Sequence, residues 1–413
     1  MSFGTRITQS WQARPVWMGG AAEPAQPFYA GAKRAYLRPS LDASVIYIVA
    51  ALLLFGLVMV YSASIGMSES SLFAKFKPTH FLWRQMAYVV VSALLAWAVF
   101  QVPLASWQKY APHLFVLALV LLLIVLTPLG KAANNARRWI PIGGFSIQPS
   151  ELMKLAVIVF TASYCVRKQQ IMTDFKQGML PMLVAIVAVS GLLLAEPDLG
   201  ALVVVAAVCI GVMFIGGSAL IPLGLMSAGV CIAATVVIFT SARAKRVLAF
   251  LDPFSPEFAK TEGFQLGNSL IALARGEGTG KGLGNSVEKL NHLTEAHTDF
   301  ILAIIGEEFG FVGVFIVVTL FTALIFKAFS MGRAALRDGE RFGGLVAHGI
   351  AFWLALQAGI HLCVNAGAMP TKGLTLPFIS YGGSAMMMSM VAMALLLRVD
   401  FETRLRERGQ LPQ

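Results

Sequence analysis

Between Leu199 and Ala242 the chain runs for 44 residues without a charged side chain. A helix that crosses a bilayer needs about 20 mostly apolar residues. This one stretch is therefore long enough for two spans, with Gly216-Gly217-Ser218 as the turn between them. The other charge-poor runs are Ala43–Met67, Gln85–Gln108, Tyr110–Gly130, about 150–166, Gly178–Ala195, Ile301 to about Phe326, Phe342–Thr371 and Gly373–Leu397. Together they predict an all-α, polytopic integral membrane protein with about ten transmembrane helices. Period-two alternation is absent, which argues against a transmembrane barrel. Composition agrees: 13% of the side chains are charged and 57% hydrophobic, against about 25% and 45–50% in soluble domains. A disordered chain, a nucleic-acid-binding protein and an ordinary soluble enzyme are excluded. The net charge of +11 then reads as topology anchors and headgroup contacts. Cys165, Cys209, Cys231 and Cys363 all fall in apolar stretches and read as small core hydrophobes.

An even number of spans puts both termini on one side. With both in the cytoplasm, that side carries 17 Lys and Arg, and the other carries eight outside the one long loop. Long loops count little in the positive-inside rule, so the bias supports this orientation. Residues 1–42 read as a flexible cytoplasmic extension without the apolar core of a signal peptide. Residues 43–398 form the membrane domain and 399–413 a cytoplasmic tail. The long connection, 241–300, lies on the outer face before the eighth helix and is expected to be functional or disordered. It contains the amphipathic stretch Phe264–Ala274, which could rest on the membrane surface.

Ionisable groups at a membrane are costly and invite a functional reading. Asp299 sits where the long loop enters the eighth helix. At such an interface its carboxyl loses hydration and its pKa rises, which suits a general base; the plainer reading is a first-turn helix acid. Glu151 and Lys154 share one helix face, either as an internal ion pair or as a cavity wall with Lys154 open to phosphate. Arg137-Arg138 reads as headgroup contacts or interfacial anchors. In Glu196-Pro197-Asp198-Leu199-Gly200, Asp198 can cap the sixth helix. Glu307-Glu308 is either a lining of the same cavity or a helix–helix contact. The glycines at 276, 278, 280, 282 and 284 superficially suggest a phosphate loop, but Lys281 is followed by Gly282 rather than Ser or Thr. A flexible turn is the expected reading. His297 and His361 lack the spacing of a built-in zinc site. From the residues alone, chemistry on a lipid-linked substrate and transport across the bilayer stay open.

Several segments resemble signatures of the SEDS family (shape, elongation, division and sporulation). They are Arg138-Trp139-Ile140-Pro141 through Gln148-Pro149-Ser150-Glu151-Leu152-Met153-Lys154, Glu196 through Gly200, residues 284–308, and Lys372 through Ser384. They occur in family order across about residues 43–400. The extension and the wording Glu295-Ala296-His297-Thr298-Asp299-Phe300 resemble the division branch more than the elongation branch. Thr294, where proline is common, and Ala385, where serine is common, depart from the pattern.

The resemblance implies a peptidoglycan glycosyltransferase of the bacterial inner membrane, acting at the division septum. It would polymerise lipid II into β-1,4 glycan strands and release undecaprenyl pyrophosphate. It implies Asp299 as the catalytic residue. Arg138, Glu151, Lys154, Lys372, His297, Glu295 and Ser380 are the candidate substrate contacts. A class B penicillin-binding transpeptidase and other division-complex membrane proteins are the implied partners, alongside the bilayer, with no nucleic acid. A divalent cation, Mg or Mn, could sit with the pyrophosphate, although no ligand cluster demands one. The rival readings are a lipid II flippase and a non-catalytic scaffold for the transpeptidase.

Overall fold

The computed structural model describes residues 41–65, 79–133, 136–143, 145–240, 244–290, 293 and 295–410. The predicted N-terminal extension, apart from its last two residues, and Thr294 lie outside them. Twelve helices and one small sheet follow in order. They are α1 (Ala43–Ser64), α2 (His80–Gln101), α3 (Leu104–Leu126), β1 (Lys131–Ala133), β2 (Ala136–Ile142), β3 (Phe145–Ile147), α4 (Pro149–Arg167) and α5 (Leu180–Ala195). Then come α6 (Leu199–Ile215), α7 (Leu220–Thr240), α8 (Ala244–Leu251), α9 (Phe264–Gly276), α10 (Ile301–Arg337), α11 (Arg341–Asn365) and α12 (Gly383–Glu407). The protein is a helical, multi-pass membrane protein. Among the described residues, eight helices are long and apolar enough to cross a bilayer: α1 to α4, α5 with the turn before it, and α10 to α12. The apolar α6 and α7 fill the 44-residue charge-free run.

Burial sorts the helices into layers. α4, α11 and α12 are central, with 83%, 72% and 67% of their apolar windows covered by protein, whereas α2 and α3 have 22% and 28%. Outer side chains such as Leu94, Trp97, Val116, Val184 and Phe315 are exposed, as lipid-facing positions should be. The central helices approach closely where glycine allows it. Gly349 of α11 sits against Ile158 of α4 and Val212 of α6. Asp42 caps α1 by accepting from the Ser44 amide, and Lys327 of α10 pairs with it at 3.0 Å. Cys165 and Cys209 are buried as expected, but Cys231 is exposed on α7.

Four boundaries differ from the sequence expectation. Lys131–Ala133, Ala136–Ile142 and Phe145–Ile147 form an antiparallel sheet, with Lys131 paired to Trp139 and Ile140 to Ile147; two strands have three residues and β2, Ala-Arg-Arg-Trp-Ile-Pro-Ile, does not alternate. α2 spans His80–Gln101, because Pro103 disfavours helix at the residue before it. α10 extends to Arg337, past the last charge-free residue. The last helix starts at Gly383, ten residues later than expected. Pro370 and Pro377 leave residues 366–382 largely irregular. Irregular backbone at membrane depth must find its hydrogen bonds in the protein. Here α11 supplies them. Gln357 Nε2 donates to the Thr375 carbonyl at 2.9 Å, and His361 Nδ1 lies 2.8 Å from the Leu374 carbonyl.

The described part of the long loop packs on the bundle. α9 packs along α10, with Leu266, Gly267, Ser269 and Ala272 buried. Leu270 contacts Gly367. Only its outer face, including Ile271, is exposed, so the amphipathic stretch docks mainly on protein.

Candidate active site

Asp299 lies in the turn that leads into α10. Its amide donates to the Glu295 carbonyl at 3.1 Å. Three further contacts fix this turn from outside. Ser380 Oγ donates to the Thr298 carbonyl at 2.7 Å and accepts from the Leu376 amide at 2.8 Å. The Tyr381 amide donates to the His297 carbonyl at 2.9 Å. Asn365, fully buried at the end of α11, donates from Nδ2 to the Asp299 carbonyl at 3.1 Å. Its Oδ1 accepts from the Ala303 amide at 3.2 Å, which also donates to the Phe300 carbonyl at 3.0 Å. Ser269 of α9 in turn donates to the Asn365 carbonyl at 2.9 Å.

The half-buried Asp299 carboxylate rests against Gly373; a Cβ there would lie 3.2 Å from Oδ2. Burial raises this carboxyl from 3.8 to about 7. The neighbouring Glu295 adds to the rise, Arg138 opposes it, and Asp198 adds again. Gly373 opens into a cleft lined also by Arg138, Asp198, Arg246 and Lys372. Arg138 is held by the α5–α6 turn, donating to the Glu196 carbonyl at 3.2 Å and to the Pro197 carbonyl. An acid of raised pKa thus sits beside a cleft with three cationic side chains on its wall. That arrangement can accept a proton and neutralise an anion in adjacent positions.

The other sequence-selected residues take distinct places. Glu295 accepts from Thr298 Oγ1 at 2.8 Å, next to Asp299. The His297 ring is buried against Phe81 and Tyr381 at 5.0 and 5.4 Å. Burial lowers its pKa from 6.5 to about 4, so it packs the back of the turn as a neutral ring. Ser380 braces the turn through backbone contacts. Glu151 and Lys154 form an ion pair at 2.8 Å, both nearly fully buried. Lys154 also donates to Gln357 at 2.7 Å and lies 5.4 Å from the Trp353 ring centre. Its charge is therefore committed inside the bundle and is absent from the cleft wall. Through Gln357, which holds Thr375, the pair supports the segment that carries Lys372. Asp198 caps α6 at the Ala201 amide, 3.1 Å away, and accepts from Ser150 at 3.2 Å. Glu196 is fully buried, neither carboxyl oxygen has a hydrogen-bond partner, and burial lifts it from 4.5 to about 8.

Asn365, Gln357 and Arg246 do not stand out by motif. For Asn365 and Gln357 a signal existed: each is an uncharged polar side chain inside an apolar helix, where a partner is required. Arg246 carries no such mark among the other cations of the loop. The described residues gather no group of three or more His, Cys, Asp or Glu that could hold a metal ion.

Fold and cleft together describe a polytopic membrane protein that places a carboxyl of raised pKa beside a cleft with cationic side chains at the ends of its helices. The chain belongs to the cell cycle protein family that includes FtsW, RodA and SpoVE, whose family profile matches residues 42–405. A relative from Burkholderia thailandensis, described as a probable peptidoglycan glycosyltransferase FtsW, is 50% identical over 370 residues, covering 89% of this chain and 80% of the relative. A protein of the same description from Nitrosomonas europaea is 48% identical over 375 residues, covering 90% and 96%. Among solved structures, one reported for polymerization and crosslinking by a peptidoglycan synthase complex matches with TM-score 0.69 and 27% identity, over 88% of this chain and 98% of that one. The rod shape determining protein RodA of Thermus thermophilus shares the fold, with TM-score 0.63 and 24% identity, over 91% and 99%.

Proposed function

We propose that this chain is a peptidoglycan glycosyltransferase that polymerises lipid II, with Asp299 as its general base. The observation that carries the reading is a carboxyl raised to about 7 beside a cleft walled by Arg138, Arg246 and Lys372. The names of relatives that cover most of the chain support the same activity. Asp299 takes the proton from the 4-hydroxyl of the acceptor N-acetylglucosamine. That oxygen forms the new bond to the anomeric carbon of the donor N-acetylmuramic acid. The bond to undecaprenyl pyrophosphate breaks, and the α-linked donor becomes a β-1,4 link by inversion. The departing pyrophosphate gains charge, and the three cleft cations are placed to stabilise it.

Glu151, Lys154, Ser380 and His297 then act as positioning residues. The first two support residues 372–375 through Gln357, and the last two brace the turn that carries Asp299. Glu295 contributes by keeping the Asp299 carboxyl basic. The site faces the periplasm, both termini lie in the cytoplasm, and the protein works in the inner membrane at the septum with a class B transpeptidase. Residues 1–42 act as a cytoplasmic extension and 399–413 as a tail.

The test is polymerisation of lipid II by the full chain reconstituted with that transpeptidase. Asp299→Asn should lower the rate by about 10²–10⁴-fold, the usual contribution of a general base, while the complex stays intact. Wild-type polymerisation by Asp299→Ala overturns the mechanism. Translocation of lipid II without any polymerisation by the wild type favours the flippase.

A further inference from the structure

The glycine run of the long loop has a structural partner that its spacing does not reveal. α10 is not one helix. It breaks at Gly310, where φ is +65° and ψ is −160°. The break comes about ten residues along the helix from its start, where Phe311 and Val312 face outward from the bundle. A break strands carbonyls on its upper side and amides on its lower side. The loop supplies the missing partners in both directions. The Lys281 and Gly282 amides donate to the Glu307 and Glu308 carbonyls at 3.0 and 2.9 Å. The Phe311 and Val312 amides donate to the Glu277 and Gly278 carbonyls at 2.9 and 3.1 Å.

This exchange requires two backbones in direct contact. A Cβ at Gly276 would strike the Gly306 carbonyl, one at Gly280 would strike the Glu308 carbonyl, and one at Gly310 would strike the Gly280 amide. Gly280 also has φ of +83°, which side chains disfavour. The run is thus an inserted plug instead of a flexible turn.

Side chains lock the plug in place. Lys289 is almost fully buried and donates to Glu308 at 2.7 Å, to Ser62 of α1 at 3.0 Å and to the Gly284 carbonyl at 2.7 Å. Ser62 also donates to Glu308 at 2.7 Å. Glu307, beside it, accepts from Ser286 and from the Val287 amide at 3.0 Å. The loop therefore grips the lower end of the half-helix Ile301–Phe309, and Asn365 grips its upper end beside Asp299. Neither acid of the Glu307-Glu308 pair lines the cleft.

We propose that Lys289 and Glu308 are positioning residues, which set the placement of Asp299 by clamping the loop plug into the break of α10. This rests on the catalytic reading of Asp299. A base must sit within hydrogen-bond reach of the proton it removes, and a displacement of about 1 Å can cost about 100-fold in rate. A half-helix released at its lower end would carry its upper end with it.

Hydrogen exchange on the wild-type protein in detergent is the first test. The amides of Lys281, Gly282, Phe311 and Val312 should be protected about as strongly as the central helices. Fast exchange at these four overturns the plug, whatever the activity of the protein. The second test is the paired variant Lys289→Met/Glu308→Gln. It removes both charges together and so strands neither one in the interior. The expected result is a folded protein with kcat lowered at least tenfold, KM within twofold, and the rising acid-side limb of the pH–rate profile displaced. A folded double variant with wild-type kcat and pH profile overturns the positioning role. Should the wild type fail to polymerise lipid II, the catalytic reading falls, while the amide protection still decides the plug.

Discussion

Asp299 and Glu196 are two carboxyls next to residues of the cleft, Gly373 and Arg138 respectively, and both are shifted upward for the same reason. Burial removes the water that stabilises the charged form, and each has an acidic neighbour. Their surroundings divide them. Asp299 is mostly buried and near neutrality at about 7, while Glu196 is fully covered and stays protonated below about 8. Only the deprotonated Asp299 can act as a base, so kcat/KM should rise with pH and level off above about 7. The pH–rate profile of lipid II polymerisation checks this; a limb near 4 would mean an unperturbed carboxyl. For Glu196 the linkage runs the other way. Its native pKa of about 8 exceeds the unfolded 4.5, so the folded state binds the proton more tightly. Stability from this group is full below about 4.5 and lost as pH rises through about 8. Glu196→Gln copies the neutral acid. It should keep activity within about twofold and flatten the fall in thermal stability between pH 5 and 8. An unchanged pH slope would show that Glu196 is ionised in the native protein.

At the scale of elements, what the sequence shows and what it hides follow one physical rule. Charge is costly in a bilayer, so its absence marks where helices lie, and α1 through α12 largely follow that pattern. Charge scarcity says nothing about irregular backbone at membrane depth. The late start of α12, the break in α10 and the sheet at 131–147 were hidden for that reason. The motif residues were legible by resemblance, but their division of labour was not. Lys154 looks open to phosphate in sequence and is committed to Glu151 and Gln357 in space. Asn365 illustrates the reverse, a residue outside the candidate list that joins three elements. Asn365→Leu keeps the volume but removes the donor to the Asp299 carbonyl, while the Ala303 amide keeps its bond to the Phe300 carbonyl. One unsatisfied buried group costs about 1–3 kcal/mol. The variant should lose stability of that order and most of its kcat, with KM little changed. Wild-type kcat in a folded Asn365→Leu protein would remove this residue from the positioning of Asp299.

At the scale of the whole molecule, the two ends of the bundle are chemically different. The cleft end gathers the starts of α4, α6, α10 and α12 with the ends of α5 and α11. The opposite end is bound by ion pairs: Lys327 with Asp42, Arg404 with Asp400 at 2.9 Å, and Arg398 with Glu402. Glu402 also accepts from the Leu104 amide at 3.0 Å, tying α12 to the start of α3. In the proposed topology, which rests on the excess of Lys and Arg, this second end faces the cytoplasm and the cleft faces the periplasm. The orientation can be read directly. Glu277 is exposed in the loop and Glu407 is exposed at the end of α12. Of the native cysteines, two are buried, one is half-buried and one lies on the exposed face of α7, so a cysteine-free background is the suitable start. A Glu277→Cys protein in spheroplasts should react with a membrane-impermeant maleimide, while a Glu407→Cys protein should react only after permeabilisation. The opposite pattern would put Asp299 in the cytoplasm, where the growing glycan strand is absent, and the proposed reaction could not take place there.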